Sequence, residues 1–129
     1  AAGYLKGSAA VSVIDGFFNL VYVENRGCAW GMLQGHVWPL AVFGLIALGF
    51  IVYKRKELFS HAAVAEPLLY AGIIGNLIDR VVRGYVIDFV DLHWGAVYHF
   101  PCFNVADVLI TFAAAILLVS GFFTKGQAK

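Results

Sequence analysis

The sequence predicts an all-α polytopic membrane protein, a helical bundle that carries a small extracytoplasmic β-sheet. Three observations predict it. Charged residues make up only 13% of the chain and hydrophobic residues 61%, and that charged share is about half of what soluble domains carry. The mean hydropathy of +0.81 places most of the chain in lipid. Three apolar runs are each too long for a strand and lack the alternation of a barrel wall. The 129 residues are enough for one domain, residues 1–129, and not for two.

Taken in order, the chain opens on AAGYLKGSAA, which has no Met and none of the charged start and apolar centre of a signal peptide. It reads as an excised chain. Residues 10–25, AVSVIDGFFNLVYVEN, are rich in β-branched and aromatic side chains, which suit a sheet. VWPLAVFGLIALGFIVY, residues 37–53, is uncharged and gives the first crossing; its 17 residues span roughly 25 Å, near the lower limit for a bilayer. The Lys54-Arg55-Lys56 cluster follows at once and marks a cytoplasmic turn. Residues 62–79 form the second crossing, with Glu66 and Pro67 near its start, and residues 105–123 the third. Lys125 and Lys129 then finish on the inside. Residues 1–36 and 80–103 are largely extracytoplasmic. Within the latter, 84–94 (GYVIDFVDLHW) alternates as a strand, with Tyr85, Ile87 and Phe89 on one face and Val86, Asp88 and Val90 on the other. Trp30, Trp38 and Trp94 suit interfacial anchors.

Several function classes are excluded. A net charge of +1, without a long basic run, gives no signal for nucleic acid. Cys28 and Cys102 form no metal-type spacing and no disulfide framework. His36, His61, His93 and His99 are scattered without ligand spacing, so neither a zinc site nor another cofactor is expected.

The polar residues that remain converge on one chemistry. AGIIGNLIDR ends an apolar stretch with Asn76, Asp79 and Arg80. Asp79 falls at the outer end of the second crossing and Asp107 at the outer start of the third, and sequential antiparallel helices usually pack as neighbours. NLID and NVAD both read Asn-x-x-Asp, at Asn76/Asp79 and Asn104/Asp107, and residues three apart share a helix face. Such an arrangement suits a carboxylate dyad that shares one proton and titrates as a unit. Its charged member takes a proton from water while its protonated member donates to a carbonyl oxygen, which is peptide hydrolysis of the aspartic kind. A dyad of this type needs a direct hydrogen bond or one bridging water, so a carboxylate separation of roughly 3–6 Å is expected. The plainer readings are an Asp79–Arg80 interfacial ion pair and an Asp107 that begins a helix. The doubled spacing, and the cost of ionisable groups in a crossing segment, favour function. Asp88 is expected to brace the site, Asp91 to be solvated, and Glu66 to start its helix. Arg80 either steadies the carboxylates or snorkels to headgroups.

Four stretches together resemble the lipoprotein signal peptidases of bacteria, the signal peptidase II family. They are VENRGCAWG (Asn25, Gly27, Ala29, Trp30), AGIIGNLIDR (Gly75, Asn76, Asp79, Arg80), YVIDFV (Asp88, Phe89) and FNVAD (Phe103, Asn104, Ala106, Asp107). The resemblance implies an aspartyl endopeptidase of the bacterial inner membrane with no cofactor. Its substrate would be a prolipoprotein whose cysteine carries diacylglycerol, cut just before that cysteine. It implies Asp79 and Asp107 as the catalytic pair. Asn25, Gly27, Asn76, Arg80, Asp88, Asn104 and Ala106 would then shape the site or the substrate cleft. It further implies a four-helix bundle with a sheet cradle, contact with membrane lipids, and inhibition by globomycin-type cyclic peptides. The sequence departs from the family in two ways. Nothing here matches the family's first crossing helix with its Asp-Gln-x-x-Lys-like motif, and Cys28 and Trp30 stand where Ala and Phe are commoner.

Two rival classes remain. A small proton-coupled transporter or channel subunit would also pair carboxylates, but beyond Glu66, Thr111 and Ser120 the crossings offer little polar path. A binding or assembly protein would use the same residues only to lock helices together.

Overall fold

The structure, a computed structural model, describes residues 6–7, 9–28 and 32–127. Ala29, Trp30 and Lys129 therefore lie outside the described residues. The described chain falls into two compact units, one built from residues up to Leu40 and from Asp79–Asn104, the other from Ala41–Ile78 and from Val105 onward.

The first unit holds a four-stranded antiparallel sheet in the order β1-β2-β3-β4, formed by Val11–Ile14, Phe18–Asn25, Val86–Trp94 and Tyr98–His99. The stretch at 10–25 is a hairpin of β1 and β2. It reverses at Asp15-Gly16, where Gly16 adopts φ +75 and Phe17 donates its N–H to Ile14 O at 3.0 Å. An Asp-Gly pair between apolar runs is a hairpin signal. β3 is interior, pairing Phe18 with Leu92 and Asn25 with Val86, while the segment before the last helix returns to it through Val90 and Phe103.

Asp91 corrects an expectation. It was expected to be solvated, yet it is only 8% exposed. Its cross-strand partner Asn19 donates to its Oδ2 at 3.3 Å, and His99 Nδ1 lies 3.4 Å from its Oδ1. An interior strand has neighbours on both sides, and diagonal partners reach across the face that alternation alone assigns to water.

Among the described residues four helices complete the fold: α1 Val37–Tyr53, the short α2 Arg55–Leu58, α3 Ala65–Arg83 and α4 Val105–Gln127. α1 has the bounds its apolar run predicts. α3 begins at Ala65, with Glu66 in its first turn as expected and Pro67 where no intrahelical N–H is required. It continues through Arg80 to Arg83, so residues expected to be extracytoplasmic loop are helical. It stops at Gly84, whose φ of +76 and N–H to Arg80 O at 3.1 Å make a left-handed C-cap.

The architecture is helices plus an antiparallel sheet, not all-α. Among the described residues one helix, α4, is long and apolar enough to cross a membrane. Its 23 residues reach about 34 Å. Only 6% of its apolar window is buried by protein, with Phe112, Leu118, Phe122 and Phe123 exposed. A soluble core helix would be covered, so this face is one for lipid. α1 is equally apolar but shorter, and α3 carries Glu66, Asp79, Arg80 and Arg83.

Within the second unit the packing runs through small residues. Phe59, Ala62, Ala65 and Ala113 form a buried cluster with Ile51, Leu68, Leu69, Ile116 and Leu117 against it. The Arg55–Glu66 ion pair at 2.7 Å ties the first residue of α2 to the start of α3. Farther along, α3 and α4 approach so closely that a Cβ on Gly72 would stand 2.6 Å from Ala106 O and 3.1 Å from Ile110 N, and one on Gly75 3.4 Å from Ala106 Cβ. In lipid, where apolar burial gives little drive, this close contact is what associates helices. Gly72→Ala is expected to cost about 1–3 kcal/mol and to lower the thermal unfolding temperature in detergent. Gly121→Ala, with nothing within 4 Å of its added Cβ, leaves that temperature unchanged or slightly raised.

Candidate active site

The expected site residues form one network in each unit. In the first, the centre is Asp88 on β3, only 3% exposed. A buried carboxylate needs donors on its oxygens. Asn25, the last residue of β2, supplies Nδ2 to Oδ2 at 3.0 Å, and Asn104, just before α4, supplies Nδ2 to Oδ1 at 3.1 Å. Asp88 thus joins β3 to the end of β2 and to the segment just before α4. Asn25 passes the constraint on, since its Oδ1 accepts the Gly27 N–H at 2.9 Å and Gln34 Nε2 at 3.0 Å. Gly27 has no room for a Cβ, which would stand 2.9 Å from the Gln34 backbone nitrogen. Its carbonyl in turn accepts Arg80 Nη2 at 3.3 Å.

Asp79 belongs to the same unit. Its Oδ1 lies 2.5 Å from Arg83 Nη1 and its Oδ2 accepts the Ile87 N–H at 3.3 Å. The cation at Asp79 is therefore Arg83, one helical turn on, while Arg80 is directed to Gly27. The sequence reading considered Arg80 and missed Arg83, although an acid followed four residues later by a base is a recognisable helix pair. It missed Gln34 as well, and a loop glutamine offers no comparable signal.

In the second unit, Asn76 on α3 is 8% exposed and donates Nδ2 to Asp107 Oδ1 at 2.9 Å. Asp107 lies in the first turn of α4, and its backbone carbonyl accepts Thr111 Oγ1 at 2.8 Å. Ala106 is the small residue that meets Gly75. The close helix approach and the amide–carboxylate bond are thus neighbours in sequence on both helices.

No three His, Cys, Asp or Glu side chains are placed to hold a metal among the described residues. His93 and His99 do stack at 5.1 Å, beside Asp91. Cys28 and Cys102 are both free, and Cys28 Sγ donates to Met32 O at 3.4 Å. Burial first, then the charges of Asp91 and Asp88, push the Cys102 thiol above its ordinary range.

Two outcomes follow. Asp88→Ala removes the acceptor shared by Asn25 and Asn104 and is expected to cost about 1–3 kcal/mol, read by thermal unfolding in detergent. In a Cys28→Ser background, maleimide alkylation of Cys102 should rise with pH through a midpoint above the ordinary thiol value of about 8.5. Asp91→Asn, by removing a negative charge, should move that midpoint down.

Comparison with known proteins identifies the family. The signal peptidase (SPase) II family profile matches residues 2–123, a segment that contains every candidate residue above. The lipoprotein signal peptidase of Tolumonas auensis is 42% identical over 124 residues, covering 91% of this chain and 76% of that protein. That of Fusobacterium nucleatum is 38% identical over 125 residues, covering 92% and 73%. A bacterial membrane enzyme solved by the in meso method at 2.3 Å superposes with a TM-score of 0.74 at 35% identity, covering 94% of this chain and 75% of that one. The chain belongs to the signal peptidase II family and is a membrane protease.

Proposed function

We propose that this chain is an intramembrane aspartyl endopeptidase. It removes the signal peptide from diacylglyceryl-modified prolipoproteins by cutting before the lipidated cysteine. The observation that carries the reading is the hydrogen bond from buried Asn76 to Asp107. It links the second Asn-x-x-Asp element to the first, whose Asp79 follows Asn76 by three residues and so shares its helix face.

In this reading Asp79 and Asp107 are the catalytic pair. One carboxylate, ionised, takes a proton from water as that water attacks the scissile carbonyl. The other, protonated, donates to the carbonyl oxygen, and the tetrahedral diol collapses as a proton passes to the leaving amine. No acyl-enzyme forms and no cofactor is required. Asn76 orients Asp107. The Asp88 brace, through Asn25, Gly27 and Asn104, shapes the groove, Arg80 fixes its rim at Gly27, and Ala106 keeps the helices close.

The placement in the membrane follows from charge and hydropathy. Segments 37–53, 62–79 and 105–123 cross the bacterial inner membrane, with Lys54, Arg55 and Lys56 on the cytoplasmic side. Segments 1–36 and 80–103 lie largely outside, within one peptidase domain spanning 1–129. The carboxylates then stand near the outer leaflet, where a diacylglyceryl anchor keeps its acyl chains. Membrane lipids and globomycin-type inhibitors are the other expected partners.

The experiment is cleavage of a diacylglyceryl-modified prolipoprotein by purified protein in detergent or vesicles. Asp79→Asn and Asp107→Asn should each lower turnover roughly 10²–10⁴-fold while the protein still folds. Normal processing by either variant removes that residue from the mechanism. Binding of the precursor without turnover by the unaltered chain would instead favour an assembly role.

A further inference from the structure

We infer that Gln34 is a positioning residue for signal-peptide cleavage, acting through Asn25. The inference rests on the reading that Asn25 and Asp88 shape the substrate groove, and is independent of which carboxylates do the chemistry. An asparagine amide has two ends of nearly equal shape, one that donates and one that accepts. The buried Asp88 carboxylate needs the donating end, and Asn25 Nδ2 supplies it at 3.0 Å. Turned over, the same amide would set its oxygen against a carboxylate oxygen, and Asp88 would lose a donor. The groups at the other end of the amide decide between the two orientations. There Asn25 Oδ1 accepts the Gly27 N–H at 2.9 Å and Gln34 Nε2 at 3.0 Å. Both are donors, so a turned amide would meet N–H with N–H.

The two donors differ in origin. The Gly27 N–H lies two residues from Asn25 and forms a local turn. Gln34 comes from nine residues on, so its contact exists only because the chain folds back. Cys28 N–H meets Met32 O at 2.9 Å and Gly35 N–H meets Arg26 O at 3.1 Å, which lays residues 32–35 against 26–28. Leu33, directly before Gln34, has a φ of +55, a conformation that a branched side chain rarely takes. Such a conformation persists only where the surroundings hold it, and the Gln34–Asn25 bond is one of the holds. The strained turn thus delivers one side-chain amide to one acceptor. A misaligned groove loses rate more than affinity. The size of the loss is that of a single neutral hydrogen bond, roughly three- to tenfold.

The test is steady-state cleavage of a diacylglyceryl-modified prolipoprotein peptide by Gln34→Ala and Gln34→Glu, with Asn25→Ala alongside. Each rate is taken relative to the parent at the same pH, well below the unfolding temperatures. Gln34→Ala should lower kcat roughly three- to tenfold at every pH and leave KM within about twofold. Gln34→Glu should match it at pH values where the new carboxylate is ionised and only accepts. As pH falls through the ordinary glutamate value of about 4.3, the carboxyl gains an O–H that can donate to Asn25 Oδ1, and relative kcat should climb back toward the parent. Parent-like kcat in Gln34→Ala, with Asn25→Ala impaired, overturns the positioning role and leaves the groove reading standing. Equal losses in Gln34→Ala and Gln34→Glu at every pH overturn it as well, marking a contact of loop structure alone. Normal cleavage by Asn25→Ala overturns the groove reading and this inference with it.

Discussion

A carboxylate sealed inside a small sheet is the constraint on which the first unit depends. Asp88 is almost fully buried, and a buried charge is tolerated only while donors occupy its oxygens. Those donors, Asn25 and Asn104, sit 63 and 16 residues away in the chain. Satisfying Asp88 therefore holds the end of β2 and the chain at Asn104 together. The order passes outward through Asn25 to Gly27 and Gln34, and through the Gly27 carbonyl to Arg80. One unmet electrostatic demand thus becomes a shaped loop. The glycine matters because a side chain at 27 would collide with the Gln34 backbone.

The second unit is held differently. Its helices leave broad apolar faces uncovered, meet closely at Gly72 and Gly75 beside Ala106, and bury a small apolar cluster that includes Ala113. That approach also brings the Asn76 amide within 2.9 Å of the Asp107 carboxylate. Gly75 and Asn76 on α3, and Ala106 and Asp107 on α4, set the close approach and the hydrogen bond side by side. A bulky side chain at Gly72 would therefore disturb both packing and the amide–carboxylate contact.

Much of this was legible in the chain. The bounds of α1 matched its uncharged run, and the strand at 84–94 began within two residues of its expected start. Glu66 as helix-start residue followed from its position. The misreadings share a cause. Asp91 was assigned to water because alternation describes one strand, whereas its cover comes from Asn19 and His99 on the strands either side. The helix was expected to end near Asp79 because charge suggested an interface, but Gly84 stops it four residues later by adopting a conformation that other residues resist.

By itself, the amino-acid order determined the membrane character, the places of the three long helices and of β3, and the family whose motifs Asn25 to Asp107 carry. These are properties of composition and short-range spacing, and hydropathy and periodicity report them directly. Only tertiary structure decided partners of the polar groups: Arg83 at Asp79, Asn76 at Asp107, Asn25 and Asn104 together at Asp88. A hydrogen bond depends on tenths of an ångström and on direction, and contacts between residues tens of positions apart acquire both only when the chain has folded.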